Sequence, residues 1–215
     1  MDLTERVAAL RGRIERAGGD PDAITIVGAK PPTVDDCVAA VAAGIADLGE
    51  NRAQLLLAKA PGVTGARWHF IGRLQTNKVR LLAPHVELWE SIDRVEVADE
   101  VAARAPSARV LVQVNISDEA RKGGCQPAAV TALVAHARTR GLTVLGVMGI
   151  GPLGPPEAAR PGFRTLREIA DDLGLEVRSM GMSADLEVAV EEGSTMVRVG
   201  TALFGPRPPQ ELRTD

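Results

Sequence analysis

At 215 residues, with 45% hydrophobic and 25% charged side chains, the chain has the length and balance of one folded domain (1–215) rather than of a disordered segment. Its 25 basic and 28 acidic residues leave a net charge of −3 with no basic block, which argues against nucleic acid as a partner. No apolar run nears the roughly 20 residues a membrane helix needs. The N-terminus lacks a signal-peptide core, and Cys37 and Cys125 share no metal or redox spacing. A cytoplasmic protein with reduced thiols, no metal and no membrane contact is expected.

Leu3, Val7, Leu10 and Ile14 step by four, three and four, which predicts an N-terminal helix capped by Asp2 and Glu5 and ended by Gly18-Gly19. The chain then alternates. Ile24 to Val27 is a β-branched strand, followed by a helix over Thr33 to Ala43. Ile45 to Leu48 and Arg52 to Lys59 form the second pair, Arg67 to Ile71 and Thr76 to Ala83 the third, Glu87 to Ile92 and Val95 to Arg104 the fourth. Val110 to Ile116 and Pro127 to Thr139 come next, then Leu142 to Ile150 with Pro161 to Leu173, and Glu176 to Ser179 with Leu186 to Glu192. Met196 to Val199 is the last strand, and a short helix starts near Thr201.

Strand-then-helix repeats imply a parallel sheet, since parallel neighbours need a crossover. This many units in one short chain point to an α/β fold, a single (β/α)8 TIM barrel with an extra N-terminal helix and a core of about 24–205. The alternative, an open doubly wound sheet, would carry a glycine-rich turn after its first strand, where Ala29-Lys30-Pro31-Pro32 stands instead. GIGPLG (149–154) matches a dinucleotide fingerprint in letters only, because Pro152, Pro155 and Pro156 interrupt the helix that must follow. The tail PRPPQELRTD reads as a frayed terminus. The helices should cover the barrel exterior, so a monomer is expected.

Barrels gather their chemistry at the C-terminal ends of their strands. Lys30 ends the first strand. A lysine there is costly to bury as a cation, which suits an imine-forming nucleophile; the alternative is a side chain that reaches solvent. Phosphate sites in barrels lie after strands seven and eight, and here those turns read SMGMS and RVGTALFG. Gly200 allows close backbone approach, Thr201 adds a hydroxyl, and Ser183 opens the preceding helix. A lysine facing a phosphate cradle suits a phosphorylated aldehyde, either pyridoxal 5′-phosphate (PLP) or an aldolase substrate.

The segments VGAK, GEN, WHFIGRLQTNK, VNISDEARKGG and GMSADLEVAVEEGSTMVRVGTALFG together resemble the YggS/PROSC family of pyridoxal phosphate homeostasis proteins, from about Ile24 to Gly205. The resemblance implies the barrel of the alanine racemase N-terminal domain without the second domain, and PLP held by Lys30 as an internal aldimine. It further implies that Ser183, Gly200 and Thr201 bind the phosphate with the Met182 backbone. Arg198 would face the pyridine nitrogen, and Asn51 and His69 would line the ring face and the rear of the pocket. Lys122 matches a family lysine. Ala29 and Pro32 depart from the family, which usually has Ser or Thr before the lysine and often a second lysine two residues after it.

An arginine at the pyridine nitrogen makes PLP a weak electron sink. Racemases of this fold add a tyrosine as the opposite-face acid, and this chain has none. His69 and Cys37 are the stand-ins to consider. PLP binding and homeostasis without established turnover is therefore expected, with transient contacts to PLP-dependent apoenzymes. A racemase-like enzyme and a PLP-free Schiff-base aldolase are the alternatives. Trp68 is expected in the core or beside the pocket, and His85 and His136 on helices.

Overall fold

The computed structural model describes residues 2–117, 119 and 122–206. The tail from 207, and Asp118, Ala120 and Arg121 of the VNISDEARKGG segment, lie outside them. Strands β1 (Thr25–Ala29), β2 (Asp47–Glu50), β3 (Arg67–Phe70), β4 (Val86–Ile92), β5 (Arg109–Val114), β6 (Thr143–Gly149), β7 (Val177–Ser179) and β8 (Met196–Val199) pair in chain order. All are parallel, and β8 closes on β1 with Val27 opposite Arg198. The TIM barrel anticipated from the alternation is the fold observed.

Helices α2 (Val34–Ala42), α3 (Ala53–Lys59), α4 (Thr76–Leu82), α5 (Val95–Arg104), α6 (Val130–Thr139), α7 (Arg160–Asp172) and α8 (Leu186–Glu191) fill the crossovers, and α9 (Thr201–Phe204) follows β8. Each supplies an apolar stripe to the outer face of the sheet. In α7, Phe163, Leu166 and Ala170 are fully buried at helical spacing. Truncating such a phenylalanine costs about 3–5 kcal/mol. The helix expected up to Ala83 stops at Leu82, because Pro84 has no N–H to extend it. His85 consequently lies in a turn rather than on a helix.

The N-terminal helix α1 (Leu3–Arg16) forms as its periodicity requires, with Val7, Leu10 and Ile14 buried. Its Asp2 side chain accepts the Glu5 N–H while Glu5 accepts the Asp2 N–H, at 2.8 and 2.9 Å. The helix packs on α8 and α9, so it braces the part of the barrel that carries the last two strand ends.

Two apolar clusters result. The larger lies between the sheet and the helices. The smaller lies inside the barrel and is formed by Val27, Leu88, Leu111, Met148 and Met196. Several other inward positions are polar, among them His69, Glu90, Gln113, Ser179 and Arg198. A barrel interior normally fills with branched apolar side chains, so these polar residues stand out.

Candidate functional site

A cavity of about 610 Å³ opens at the C-terminal end of the barrel. This is within the range of small-molecule sites. Lys30, Asn51, Met182, Ser183, Arg198, Gly200 and Thr201 line it, together with Ile71, Ile150 and Phe204. Seven of the eight residues expected to bind the cofactor thus meet in one place.

Lys30 directly follows β1, and its backbone is left-handed, with φ 57°. That conformation costs a non-glycine residue of order 1 kcal/mol or more and persists only where its surroundings enforce it. Here the enforcement is visible. The Lys30 N–H donates to the Gly49 carbonyl at 2.6 Å. Behind the loop, buried Lys59 at the end of α3 donates to the Pro31 carbonyl at 2.5 Å and pairs with the Glu50 carboxylate. Glu50 Oε2 also accepts the Asn51 N–H at 3.2 Å, so one buried ion pair fixes the chain on both sides of Lys30 and Asn51. The sequence reading missed this pair. The available signal was the helical step of three from Leu56 to Lys59, which puts the lysine on the buried face.

Across the cavity, α9 begins where β8 ends. A Cβ at Gly200 would lie 3.0 Å from the Ala29 carbonyl oxygen, so glycine eases the close approach of the two strand ends. Ser183 does not open α8 as expected. The cap position of that helix is Asp185, and the Ser183 hydroxyl instead accepts the Ala202 N–H in the first turn of α9, at 3.2 Å. Gly181, with φ 95°, turns the chain so that this happens. The Met182 N–H donates to Asp185 Oδ1 at 2.6 Å, so that amide is committed within its own loop and the expected backbone contribution of Met182 to an anion is not seen. Arg13 of α1 holds the same loop through the Ser183 carbonyl, at 3.0 Å, and through Glu187. Arg6 holds the Leu203 carbonyl at 3.1 Å.

Arg198 is 4% exposed and lies at the inner end of the cavity. Its Nη1 donates to the carbonyl and hydroxyl of Ser179 at 2.7 and 2.6 Å, and its Nη2 to the Gly149 carbonyl at 2.8 Å. Burial pulls this guanidinium below its usual value, and the carboxylates of Glu90 and Asp185 oppose that pull.

His69 is the residue that lies elsewhere. It does not line the cavity; it is buried deeper in the barrel, with Nδ1 2.7 Å from Glu90 Oε1 and Nε2 3.1 Å from Asp47 Oδ1. The apolar pattern extends this strand to Ile71, which places His69 near a strand end, but β3 stops at Phe70 and His69 pairs with Gly49 and Leu88 inside the sheet. It borders a second cavity of about 220 Å³ at the opposite end, beside Arg67, Glu87 and Arg109. Burial alone would lower its pKa, but the hydrogen bonds to Asp47 and Glu90 raise it to about 9. Both ring nitrogens of His69 therefore face carboxylate oxygens, an arrangement that favours the imidazolium.

Cys37 is likewise outside the cavity, on α2, with its thiol donating to the Thr33 carbonyl and burial pushing it up to about 11. Trp68 packs in the core between sheet and helices, not beside the cavity. Lys122 donates to Glu119 and to the Gly151 carbonyl at 2.7 and 2.6 Å, tying the turns after β5 and β6 together. His136 lies on α6 and meets Asp99 at 2.8 Å. No helix begins after Gly149 until the 3₁₀ turn at Pro156, which removes the dinucleotide reading. Among the described residues, no helix is long and apolar enough to cross a membrane.

Residues 4–208 match the family described as alanine racemase, N-terminal domain. A pyridoxal phosphate homeostasis protein of Aquifex aeolicus is 41% identical, over 96% of this chain and 99% of its own length. One from Escherichia coli K12 is 39% identical over 96% and 97%. The solved structure of PipY from Synechococcus elongatus with PLP bound superposes with a TM-score of 0.84 at 30% identity, covering 95% of this chain and all of that one. Alanine racemase of Clostridium difficile shares the fold at 14% identity with a TM-score of 0.75, over 96% of this chain and 58% of its own.

Proposed function

The chain belongs to the alanine racemase N-terminal domain family, within its pyridoxal phosphate homeostasis proteins, and we propose that it binds PLP in the 610 Å³ cavity through Lys30. One observation carries the assignment. The strained lysine at the end of β1 faces a glycine-opened helix start and the hydroxyls of Ser183 and Thr201 across a single cavity. An amine and an anion cradle lining one cavity suit an aldehyde bearing a phosphate. Lys30 would hold the aldehyde end of the cofactor through its amine. Bound PLP supplies an electron sink for bonds at an attached amine.

The residues of this chain divide the remaining work. Thr201, Gly200 and Ser183 receive the phosphate. Asn51 borders the ring, and Ile71, Ile150 and Phe204 give it apolar walls. Arg198, fixed on its carbonyls, presents a cation where a pyridine nitrogen would otherwise take a proton, which weakens the sink. His69 and Cys37, the two candidates for a second acid, lie outside the cavity. The cavity therefore suits custody of PLP rather than turnover: a cytoplasmic carrier acting in PLP homeostasis, with transient release to apoenzymes. The barrel's outer apolar face is covered by its own helices, which supports a monomer.

Titrating the purified protein with PLP should produce an imine absorbance band that Lys30→Ala loses while keeping its fold. Incubation with amino acids in D₂O should leave Cα unexchanged. Exchange there would favour the racemase reading. Failure to bind PLP, with an imine formed instead on a sugar phosphate, would favour the aldolase.

A further inference from the structure

The polar layer under the cavity is a string of alternating charges. Arg198 donates to the Ser179 hydroxyl, and that hydroxyl donates to Glu90 Oε2 at 2.6 Å. Glu90 Oε1 meets His69, His69 meets Asp47, and Asp47 holds Arg67 at the far mouth of the barrel. Glu90 is fully buried, and it points into the barrel by strand alternation, two residues after inward Leu88 and one after outward Trp89. Glu90 and Arg198 form an ion pair without a direct hydrogen bond, with Nη1 3.9 Å from Oε2. Each carboxylate oxygen has a partner, Ser179 on one and His69 on the other, and these bonds fix the carboxylate beneath Arg198. A buried cation needs a nearby anion, and a buried anion needs its own partners. The string supplies both while leaving Arg198 facing the cavity. A guanidinium has more N–H groups than its three bonds to the barrel wall use.

We propose that Glu90 is a positioning residue of the cofactor cavity, which through Ser179 holds Arg198 as a fixed, charge-compensated donor aimed at the ring nitrogen of PLP. His69, set between Glu90 and Asp47, is the cation that keeps Glu90 ionised. This rests on the PLP reading. The charged groups facing His69 are Asp47 from β2, Arg67 from its own strand and Glu90 from β4, with Glu87 and Arg109 lining the cavity beside it. Glu90 itself sits below its usual carboxylate range, since its bonds to His69 and Ser179 and the charge of Arg198 outweigh its burial.

Glu90→Gln separates charge from packing. The amide keeps an oxygen for the Ser179 hydroxyl and a donor for a neutral His69, whose other nitrogen then donates to Asp47, so the fold survives. Affinity is measured for PLP and for its carbocyclic analogue, which has the same aldehyde and phosphate but carbon in place of the ring nitrogen. The wild type should prefer PLP by about tenfold, the worth of one hydrogen bond to a charged group. Glu90→Gln and Ser179→Ala should bind the analogue as the wild type does and lose the preference. In the ligand-free protein, nitrogen NMR should show His69 doubly protonated at pH 7.5, and neutral in Glu90→Gln. Retained preference in both variants, no preference in the wild type, or a neutral wild-type His69 would overturn the proposal. Absence of any imine on Lys30 of the wild type with either aldehyde would instead overturn the PLP reading. Should Glu90→Gln fail to fold, Ser179→Ala with the wild-type NMR decides the matter.

Discussion

Replacing Lys59 by methionine tests how the loop after Lys30 is held. The Lys59 and Glu50 side chains are 8% and 1% exposed, so water screens their interaction little. Removing the ammonium leaves Glu50 as an uncompensated buried anion and the Pro31 carbonyl without its donor. Breaking a buried pair from one side costs about 3–5 kcal/mol, a large part of the roughly 5–15 kcal/mol that stabilises an ordinary domain. Replacing both partners with apolar side chains, as in Glu50→Leu/Lys59→Met, removes the stranded charge. That double variant should return to within about 2 kcal/mol of the wild type, the remainder reflecting the Pro31 carbonyl and the Asn51 N–H. Urea denaturation of the wild type, both single variants and the double variant closes the thermodynamic cycle. A Lys59→Met cost below about 1 kcal/mol, or additive single effects, would refute the claim that this pair fixes the loop.

Other consequences are as direct. Gly200→Ala places a methyl group 3.0 Å from the Ala29 carbonyl and should weaken PLP binding about tenfold or more in an absorbance titration, with a smaller effect on thermal stability. The φ of −105° at this position is open to alanine, so close approach and not backbone strain is the cause. His69 carries a folded-state pKa of about 9 against an unfolded value near 6.5. The folded protein therefore binds more protons between those values, and stability that is complete below about 6.5 is lost as pH rises through about 9, by about 3 kcal/mol. His69→Gln should flatten that slope in urea titrations at fixed pH. Arg13→Ala frees the Ser183 loop and should weaken PLP binding several-fold while costing no more than about 1 kcal/mol of stability, since Arg13 is partly exposed.

The barrel was legible because parallel strands demand crossovers, and the chain marks each crossover with an apolar stripe and a Gly or Pro stop. Lys30 and Gly200 were legible because strand ends in a barrel converge whatever the helices do. Depth inside the barrel was not. His69 differs from a cavity residue by where its strand ends and how the neighbouring strands are staggered, and one sequence carries neither. Glu90 shares the inward face of β4 with Leu88, two residues before it, and a glutamate at that step within the apolar run Leu88 to Ile92 was an available sign of a buried partner. The bond from Ala202 to Ser183 joins segments that become neighbours only after the last strands pair. Ser183 shows the general point: a serine before a helix reads as its cap, and here tertiary contact assigns it to a different helix.

Covalent trapping tests the central claim most directly. Protein equilibrated with PLP is reduced with borohydride, digested with trypsin and mapped by mass. The bond before Pro31 resists trypsin, so Lys30 stays inside one peptide running from Ala17 to Arg52 whether or not it is modified. The account predicts one pyridoxyl phosphate group on that peptide, at Lys30. A group on Lys59, Lys78 or Lys122 in its place, or none at all, would contradict it.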